Sequence, residues 1–178
     1  MGKAKIKRSA GGVRYGVFYK KVTEDGYPKQ IVVRGNVRNF GADFTYCTDI
    51  LFEKMNALLV KTIPTENTNA SLRNFYGKIK IKDVGSVAQA ALDGVAYTGK
   101  TGEPVKIFIG KGTSSIAQRA FNSYGIYYDN ASNAVIYCEE SEKPEGWSSS
   151  WNMVYTSSSV TAYLSVTWGV TEAQFDAL

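Results

Sequence analysis

Histidine is absent from the 178 residues, and cysteine and proline are scarce, with 2 and 4 copies. Without histidine, the chain has no His-dependent catalytic triad, no histidine metal ligand and no imidazole acid–base group. The two cysteines, Cys47 and Cys138, are too few for a four-thiolate zinc site, and we expect both to be reduced and buried. The sequence therefore predicts no metal centre and no cofactor.

Long hydrophobic runs are missing as well. No stretch reaches the roughly 18 apolar residues that a transmembrane helix needs. The basic residues near the N-terminus are not followed by the apolar segment of a signal peptide. We therefore expect no membrane partner, and a cytoplasmic protein, or a virion protein if the chain is viral.

Motifs for catalysis are not found. The chain has no Gly-x-Ser-x-Gly turn, and the segment before Gly110-Lys111 has Val105 where a phosphate-binding loop requires glycine. We interpret the Gly110 turn as a tight connection between a strand and a helix, with anion binding as the alternative. The sequence predicts that the protein is not an enzyme, although an enzyme of an unrecognised type stays open.

Charge is distributed unevenly along the chain. Residues 1–40 contain ten basic and two acidic side chains, a net charge of +8, whereas residues 120–178 carry a net charge of −6. This asymmetry indicates an anionic partner or a second copy of the protein, with an ordinary solvated surface as the alternative. The length favours one domain, which we place at residues 13–178, after a flexible basic arm at residues 1–12.

A β-hairpin is predicted near the N-terminus. Residues 13–22 and 30–38 are rich in aromatic and β-branched side chains, and a turn-prone segment separates them. Alternation assigns Val13, Tyr15, Val17 and Tyr19 to one face with Ile31, Val33 and Val37. The opposite face then carries Arg14, Phe18, Lys20, Arg34, Asn36 and Arg38.

The following segment has a different period. Over residues 49–63, Leu51, Met55, Leu58 and Leu59 recur at helical spacing, and Pro64 follows. This pattern predicts one amphipathic helix packed on the core, and shorter helices are predicted at residues 86–92 and 115–121.

Alternating or β-branched segments predict further strands at residues 78–82, 105–109, 134–138, 152–156 and 160–168. The lysines at 78, 80 and 82 suit a protected sheet edge, and residues 160–168 have the packed and wet faces typical of an antiparallel sheet. We therefore predict an α+β fold, mainly antiparallel β, arranged as a sandwich or open barrel. Short sequence echoes share no common spacing, so no internal repeat is predicted.

The first functional hypothesis is a structural assembly subunit, such as a capsid or tail protein of a virus or phage particle. A basic N-terminal region and an acidic C-terminal region allow head-to-tail contacts between copies. The candidate acidic partner loop comprises Glu139, Glu140, Glu142 and Glu145.

The second hypothesis is a single-stranded nucleic-acid-binding protein. Cations for phosphates and an aromatic side chain for bases occur together on the basic arm and the hairpin face. The candidate residues for nucleic-acid or partner binding are Lys3, Lys5, Lys7, Arg8, Arg14, Phe18, Lys20, Arg34 and Arg38.

Overall fold

The structure is a computed structural model that describes residues 7–8, 14–22, 28–35, 46–58, 72–123 and 128–178; for 7–8, 14–22 and 28 it describes the backbone only. The strands are β1 (Lys7–Arg8), β2 (Arg14–Val22), β3 (Pro28–Arg34), β4 (Asp49–Leu58), β5 (Lys78–Val87), β6 (Val105–Ile109), β7 (Ser115–Ile116), β8 (Ala134–Cys138), β9 (Met153–Tyr155), β10 (Thr161–Tyr163) and β11 (Ser165–Trp168). The only α-helix in these ranges is α1 (Glu172–Asp176), and short 3₁₀ turns lie at Leu72–Asn74 and Ala131–Asn133.

The main sheet is parallel from β3 onward. Its strand order is β1-β2-β3-β4-β5-β6-β8-β11, with β7 paired to the far end of β5. The pairs β1–β2 and β2–β3 are antiparallel, which confirms the predicted hairpin, and every later pair in this sheet is parallel. Successive strands along the chain are stacked as successive coils, so the protein is a β-solenoid. The predicted antiparallel sandwich or open barrel is therefore wrong.

A column of aliphatic side chains runs through the stack. One residue of each main strand occupies the same register position: Ile31, Ile50, Ile79, Ile107, Ile136 and Val166. The first five are at most 1% exposed. From Ile50 onward the members are almost evenly spaced along the chain, and one coil takes about 29 residues, a length within the range of known solenoid repeats.

Two further columns of apolar side chains repeat with about the same period. A second column, two residues further along each strand, comprises Val33, Phe52, Ile81, Ile109, Cys138 and Trp168, of which all but Trp168 are buried. A third comprises Leu58, Val87, Ile116 and Trp147. Because every coil adds a residue to each column, the core continues from one coil to the next.

A left-handed residue repeats in the middle of three successive coils. The backbone φ angle is 55° at Lys54, 52° at Asp83 and 86° at Gly112, and the interval between these positions is one coil length. Left-handed backbone of this kind turns an extended chain sharply. It lies between the first two columns and the third, where the coil changes direction.

This turn explains why the predicted helix is wrong over residues 49–58; its remaining residues, 59–63, lie outside the described ranges. Residues Asp49–Leu58 form β4, in which Ile50, Phe52, Met55 and Leu58 are buried. A straight strand would bury every second residue. The left-handed turn at Lys54 shifts the phase, so the buried positions are separated by two, three and three residues, which resembles a helical pattern.

The short helices predicted at residues 86–92 and 115–121 are also wrong. Most of the main-chain hydrogen bonds donated from these segments go to a neighbouring coil: Leu92 N donates to Ala120 O at 3.2 Å, and Ala120 N to Trp151 O at 3.0 Å. The bond from Ala91 N to Ala88 O is an isolated turn and not part of a helix. The spacing of apolar side chains does not show whether a main-chain N–H group donates within a helix or to a neighbouring coil.

Strands are confirmed at residues 78–82, 105–109, 134–138 and 152–156, whereas the single strand predicted at 160–168 is divided into β10 and β11, which belong to different sheets. The predicted placement in the sheet is wrong for β5 and for β11. Strand β5 lies between β4 and β6 and is not an edge. Residues 161–168 do alternate, with Thr161, Tyr163, Ser165 and Thr167 exposed. The antiparallel arrangement expected there holds for β10, which pairs with β9, but not for β11, which is parallel to β8.

Most of the predicted arm at residues 1–12 lies outside the described residues; its residues 7–8 form β1. In the part of the chain that the structure describes, no helix has the length and apolar character needed to cross a bilayer.

The space around two glycines shows how closely the coils approach each other. A Cβ atom added at Gly85 would lie 2.7 Å from the carbonyl oxygen of Asn56 on the preceding coil. At Gly112, where φ is 86°, an added Cβ would have nothing within 4 Å. Gly85 is thus required by backbone contact, whereas Gly112 is favoured only by its left-handed conformation.

We expect Gly85→Ala to lower the free energy of unfolding by about 3 kcal/mol, because the opposing atom is rigid backbone. Gly112→Ala should cost about 1 kcal/mol, since only the conformational penalty applies. Urea unfolding of both variants measures the difference. Equal losses would show that the coils do not meet closely at Gly85.

Candidate functional site

The predicted basic surface lies mostly outside the residues with described side chains. Lys3, Lys5 and Arg38 fall outside the described ranges. Lys7 and Arg8 form β1, and Arg14, Phe18 and Lys20 lie on β2, where only the backbone is described. The register pairs Phe18 with Val32, but it shifts between Tyr19 and Lys21, so regular alternation is interrupted at Lys20.

Arg34 is the one member of that surface with a described side chain. It lies opposite Glu53 in the register of β3 and β4, and its Nε atom donates to the carboxylate of Glu53. The guanidinium is therefore engaged by a carboxylate on the next coil, and a phosphate would have to compete with this ion pair.

The predicted acidic loop follows β8. Glu142 and Glu145 are exposed, whereas Glu139 and Glu140 are partly buried. The Oε2 atom of Glu139 accepts a hydrogen bond of 2.9 Å from the main-chain N–H of Lys111. The Gly110 turn, which was considered as an anion site, therefore already donates to a carboxylate of this chain.

The terminal coil presents an extended edge that sequence reasoning did not single out. Strands β10 and β11 follow each other over residues 161–168; of the described strands, β10 pairs only with β9, and β11 only with β8. Residues 146–171 contain no charged side chain, which was a visible sign of this surface. We call residues 161–168 the terminal edge.

The three tryptophans of the chain lie together, Trp168 at the end of the terminal edge and the other two next to it. The ring centroids of Trp147 and Trp151 are 4.8 Å apart, and Trp168 lies 5.9 Å from the first and 6.1 Å from the second. Trp147 and Trp151 are buried, whereas Trp168 is partly exposed. Tryptophan fluorescence therefore reports on the last two coils of the solenoid.

The C-terminal segment, residues 171–178, covers lysines on the outer side of the sheet. Lys80 forms ion pairs with Glu172 (2.9 Å) and Asp176 (2.5 Å), and Lys82 also contacts Glu172. Burial opposes the charged form of Lys80, but hydrogen bonds to Asp176 and Glu172 outweigh it and raise the pKa. Hydrogen bonds from Lys82 and Lys80 lower the pKa of Glu172. Two of the acids counted in the negative C-terminal third are thus paired within the chain.

Lys100 and Asp129 are ionisable side chains buried in the loops between coils. Nζ of Lys100 donates to the carbonyl oxygens of Leu72 (2.8 Å) and Phe75 (2.5 Å), and burial lowers its pKa to about 7. Asp129 accepts from the main-chain N–H and hydroxyl of Ser123 at 2.7 and 2.6 Å. Burial raises its pKa to about 6, although the Ser123 hydrogen bonds oppose the shift. Lys100 provides hydrogen bonds to main-chain carbonyl groups, and Asp129 accepts hydrogen bonds from a loop serine, so both have a structural role.

The lowered pKa of Lys100 predicts how stability depends on pH. Between about pH 7 and 10.5 the unfolded chain binds the Lys100 proton and the folded chain does not, so stability rises with pH in this window. One such group contributes at most about 1.4 kcal/mol per pH unit. We expect Lys100→Met to remove this rise. Urea unfolding from pH 7 to 10 gives the free energy of unfolding of the wild-type protein and of the variant. The contributions of the other titrating groups cancel in the difference between the two. If the two free energies changed with pH in parallel, the lowered pKa of Lys100 would be contradicted.

The cysteines are buried thiols, as expected. Neither Cys47 nor Cys138 forms a disulfide, and desolvation by burial raises both pKa values to about 12. Because the thiolate is the reactive form, neither is activated as a nucleophile.

Within the described ranges, no three metal-binding side chains converge on a point that would hold a metal ion. Comparisons of the chain with protein-family models, with curated proteins and with solved structures found no match.

Proposed function

We propose that the protein is a structural subunit that self-assembles head to tail, of the kind that builds a virus or phage particle. The observation that carries this proposal is the open terminal coil. Val166 and Trp168 occupy the same columns as Ile136 and Cys138, which are 0% exposed, yet both are partly exposed, and β11 pairs with no described strand other than β8. A coil contributed by a second copy would bury them.

The terminal edge also has the composition of a pairing surface. Natural sheet edges are usually blocked by charge, proline or a bulge. Residues 161–168 contain no charged residue and no proline, and Tyr163 is 57% exposed. An edge of this kind favours addition of another strand.

The strand order identifies the surface that the terminal edge of another copy would contact. Among the described strands, β1 and β11 are the two outer strands of the main sheet. A contact between β11 of one copy and β1 of the next joins two different surfaces, which generates a ring or a filament. Lys7 and Arg8 of β1 would approach the coil that carries the exposed acids Glu142 and Glu145.

Size-exclusion chromatography with light scattering, at increasing protein concentration, tests the proposal. The edge variant Tyr163→Lys/Thr167→Lys places two charges on exposed positions of the terminal edge. The control Tyr128→Lys/Thr98→Lys makes the same substitutions at exposed positions on other coils.

We expect the wild-type protein and the control to form oligomers whose mass grows with concentration. The edge variant should stay at the monomer mass of 19.5 kDa. A wild-type protein that remains monomeric throughout, or an edge variant that assembles as well as the control, would refute the proposal.

A further inference from the structure

Lysine ammonium groups on the outer side of β5 and β6 converge on residues 171–178, which we call the C-terminal cover. Beyond the ion pairs of Lys80 and Lys82, Lys78 donates to the main-chain oxygens of Phe175 (3.4 Å) and Asp176 (2.9 Å). Lys106 donates to a main-chain oxygen of Leu178 at 2.7 Å. Four lysines are therefore occupied by oxygen atoms of one short segment.

Aromatic rings lie beside these lysines. Phe175 of the cover is 0% exposed and packs against two rings of the sheet, with centroid distances of 5.3 Å to Phe108 and 5.6 Å to Tyr137. The register places Lys80, Phe108 and Tyr137 side by side on three neighbouring strands. Beneath the cover, the sheet thus presents cations and aromatic rings on one surface.

The cover is held by polar contacts to partly exposed lysines and by one apolar anchor. Helix α1 has five residues, too few to be stable alone, so its conformation depends on docking. Ion pairs of this partly exposed kind contribute little and weaken with salt. Phe175 is the only buried residue of α1, and it provides the main apolar anchor.

We propose that the C-terminal cover is displaceable and that the surface beneath it binds single-stranded nucleic acid. In this arrangement the carboxylates of Glu172 and Asp176 occupy the positions that phosphates would take, and the Phe175 ring occupies the position of a base. Lys78, Lys80 and Lys82 repeat every second residue, about 6.6 Å apart along the strand. A flexible single strand can match such a row, and exposed rings bind its bases by stacking.

The aromatic rings of this surface favour nucleic acid over an acidic peptide as the partner. Acidic side chains would satisfy the lysines equally well, but Phe108 and Tyr137 provide a surface for unpaired bases. This surface differs from the predicted hairpin surface, since none of its residues belongs to the basic arm or to β2. It also does not include the terminal edge, so its test is independent of self-assembly.

Fluorescence anisotropy with a labelled oligothymidylate tests the proposal on the full-length chain. Two variants release the cover: Glu172→Gln/Asp176→Asn removes its carboxylates, and Phe175→Ala removes its anchor without changing the charge. The control Glu142→Gln/Glu145→Gln makes the same change in charge on the exposed loop. Circular dichroism establishes that each variant is folded.

We expect both release variants to bind the oligonucleotide at least tenfold more tightly than the wild-type protein, and the control to change by less than twofold. Adding Lys80→Gln to a release variant should abolish the gain, and added salt should weaken binding. An equal gain in the control would assign the effect to net charge and overturn the proposal. Failure of both folded release variants to bind would also overturn it, as would tighter binding of a polyglutamate peptide of matched charge.

Discussion

Replacing Ile107 by alanine is expected to lower the free energy of unfolding by about 2–5 kcal/mol, the cost of truncating a fully buried aliphatic side chain. Ile107 is 0% exposed and lies in the middle of the aliphatic column, between Ile79 and Ile136. A cavity at this point weakens the contact of its coil with both neighbours. In a stacked structure, where each coil contacts only the adjacent ones, the loss falls on the interface between two halves of the molecule.

Two further substitutions calibrate this effect. Ile107→Val should cost about 0.5–1.5 kcal/mol, because it removes one methyl group. Val135→Ala on β8 truncates a partly buried side chain that lies next to Lys106 in the register, and it should cost less than Ile107→Ala. Urea unfolding, followed by tryptophan fluorescence, provides the three values. If Val135→Ala were as costly as Ile107→Ala, the column would not be the core.

Local structure was largely predictable from the sequence where side chains alternate. The hairpin and the strands at residues 78–82, 105–109 and 134–138 were predicted because side chains that alternate at every second residue indicate a strand with one buried and one outer face. Alternation does not specify which strand lies alongside or in which direction. Parallel coils and antiparallel hairpins bury the same alternating residues, so the architecture was predicted wrongly.

The repeat was not recognised because its coils share hydrophobicity and little else. Ile79-Lys80-Ile81 and Ile107-Phe108-Ile109 occupy equivalent positions, but their middle residues differ and the rest of each coil shares little identity. A search for recurring short motifs misses such a repeat. A search for pairs of apolar residues at alternate positions, recurring at a constant interval along the chain, would have found it.

The candidate surfaces were only partly predictable for a related reason. The net charge of a segment does not show which charges pair across the fold. Glu172 contacts lysines about 90 residues earlier in the chain, and Glu139 accepts from Lys111 on the preceding coil. By contrast, the uncharged run at residues 146–171 could have indicated the terminal edge without any structure.

Removal of one whole coil tests the central claim, that the chain is a stack of coils of nearly equal length. Deleting residues 84–112 joins Asp83 to Thr113 just after the left-handed turn and brings Ile116 to the position of Val87. The columns then remain in register with one coil fewer. As a control, deleting residues 84–97 removes about half a coil and shifts everything that follows out of register. The three tryptophans lie outside both deletions.

The measurement is urea unfolding of the two deletion variants, followed by tryptophan fluorescence and far-ultraviolet circular dichroism. We predict that the whole-coil deletion unfolds in one cooperative transition, at a lower urea concentration than the intact chain, because nearest-neighbour contacts between coils are retained. We predict no cooperative transition for the half-coil deletion. Cooperative unfolding of both variants, or of neither, would contradict the stacked-coil structure.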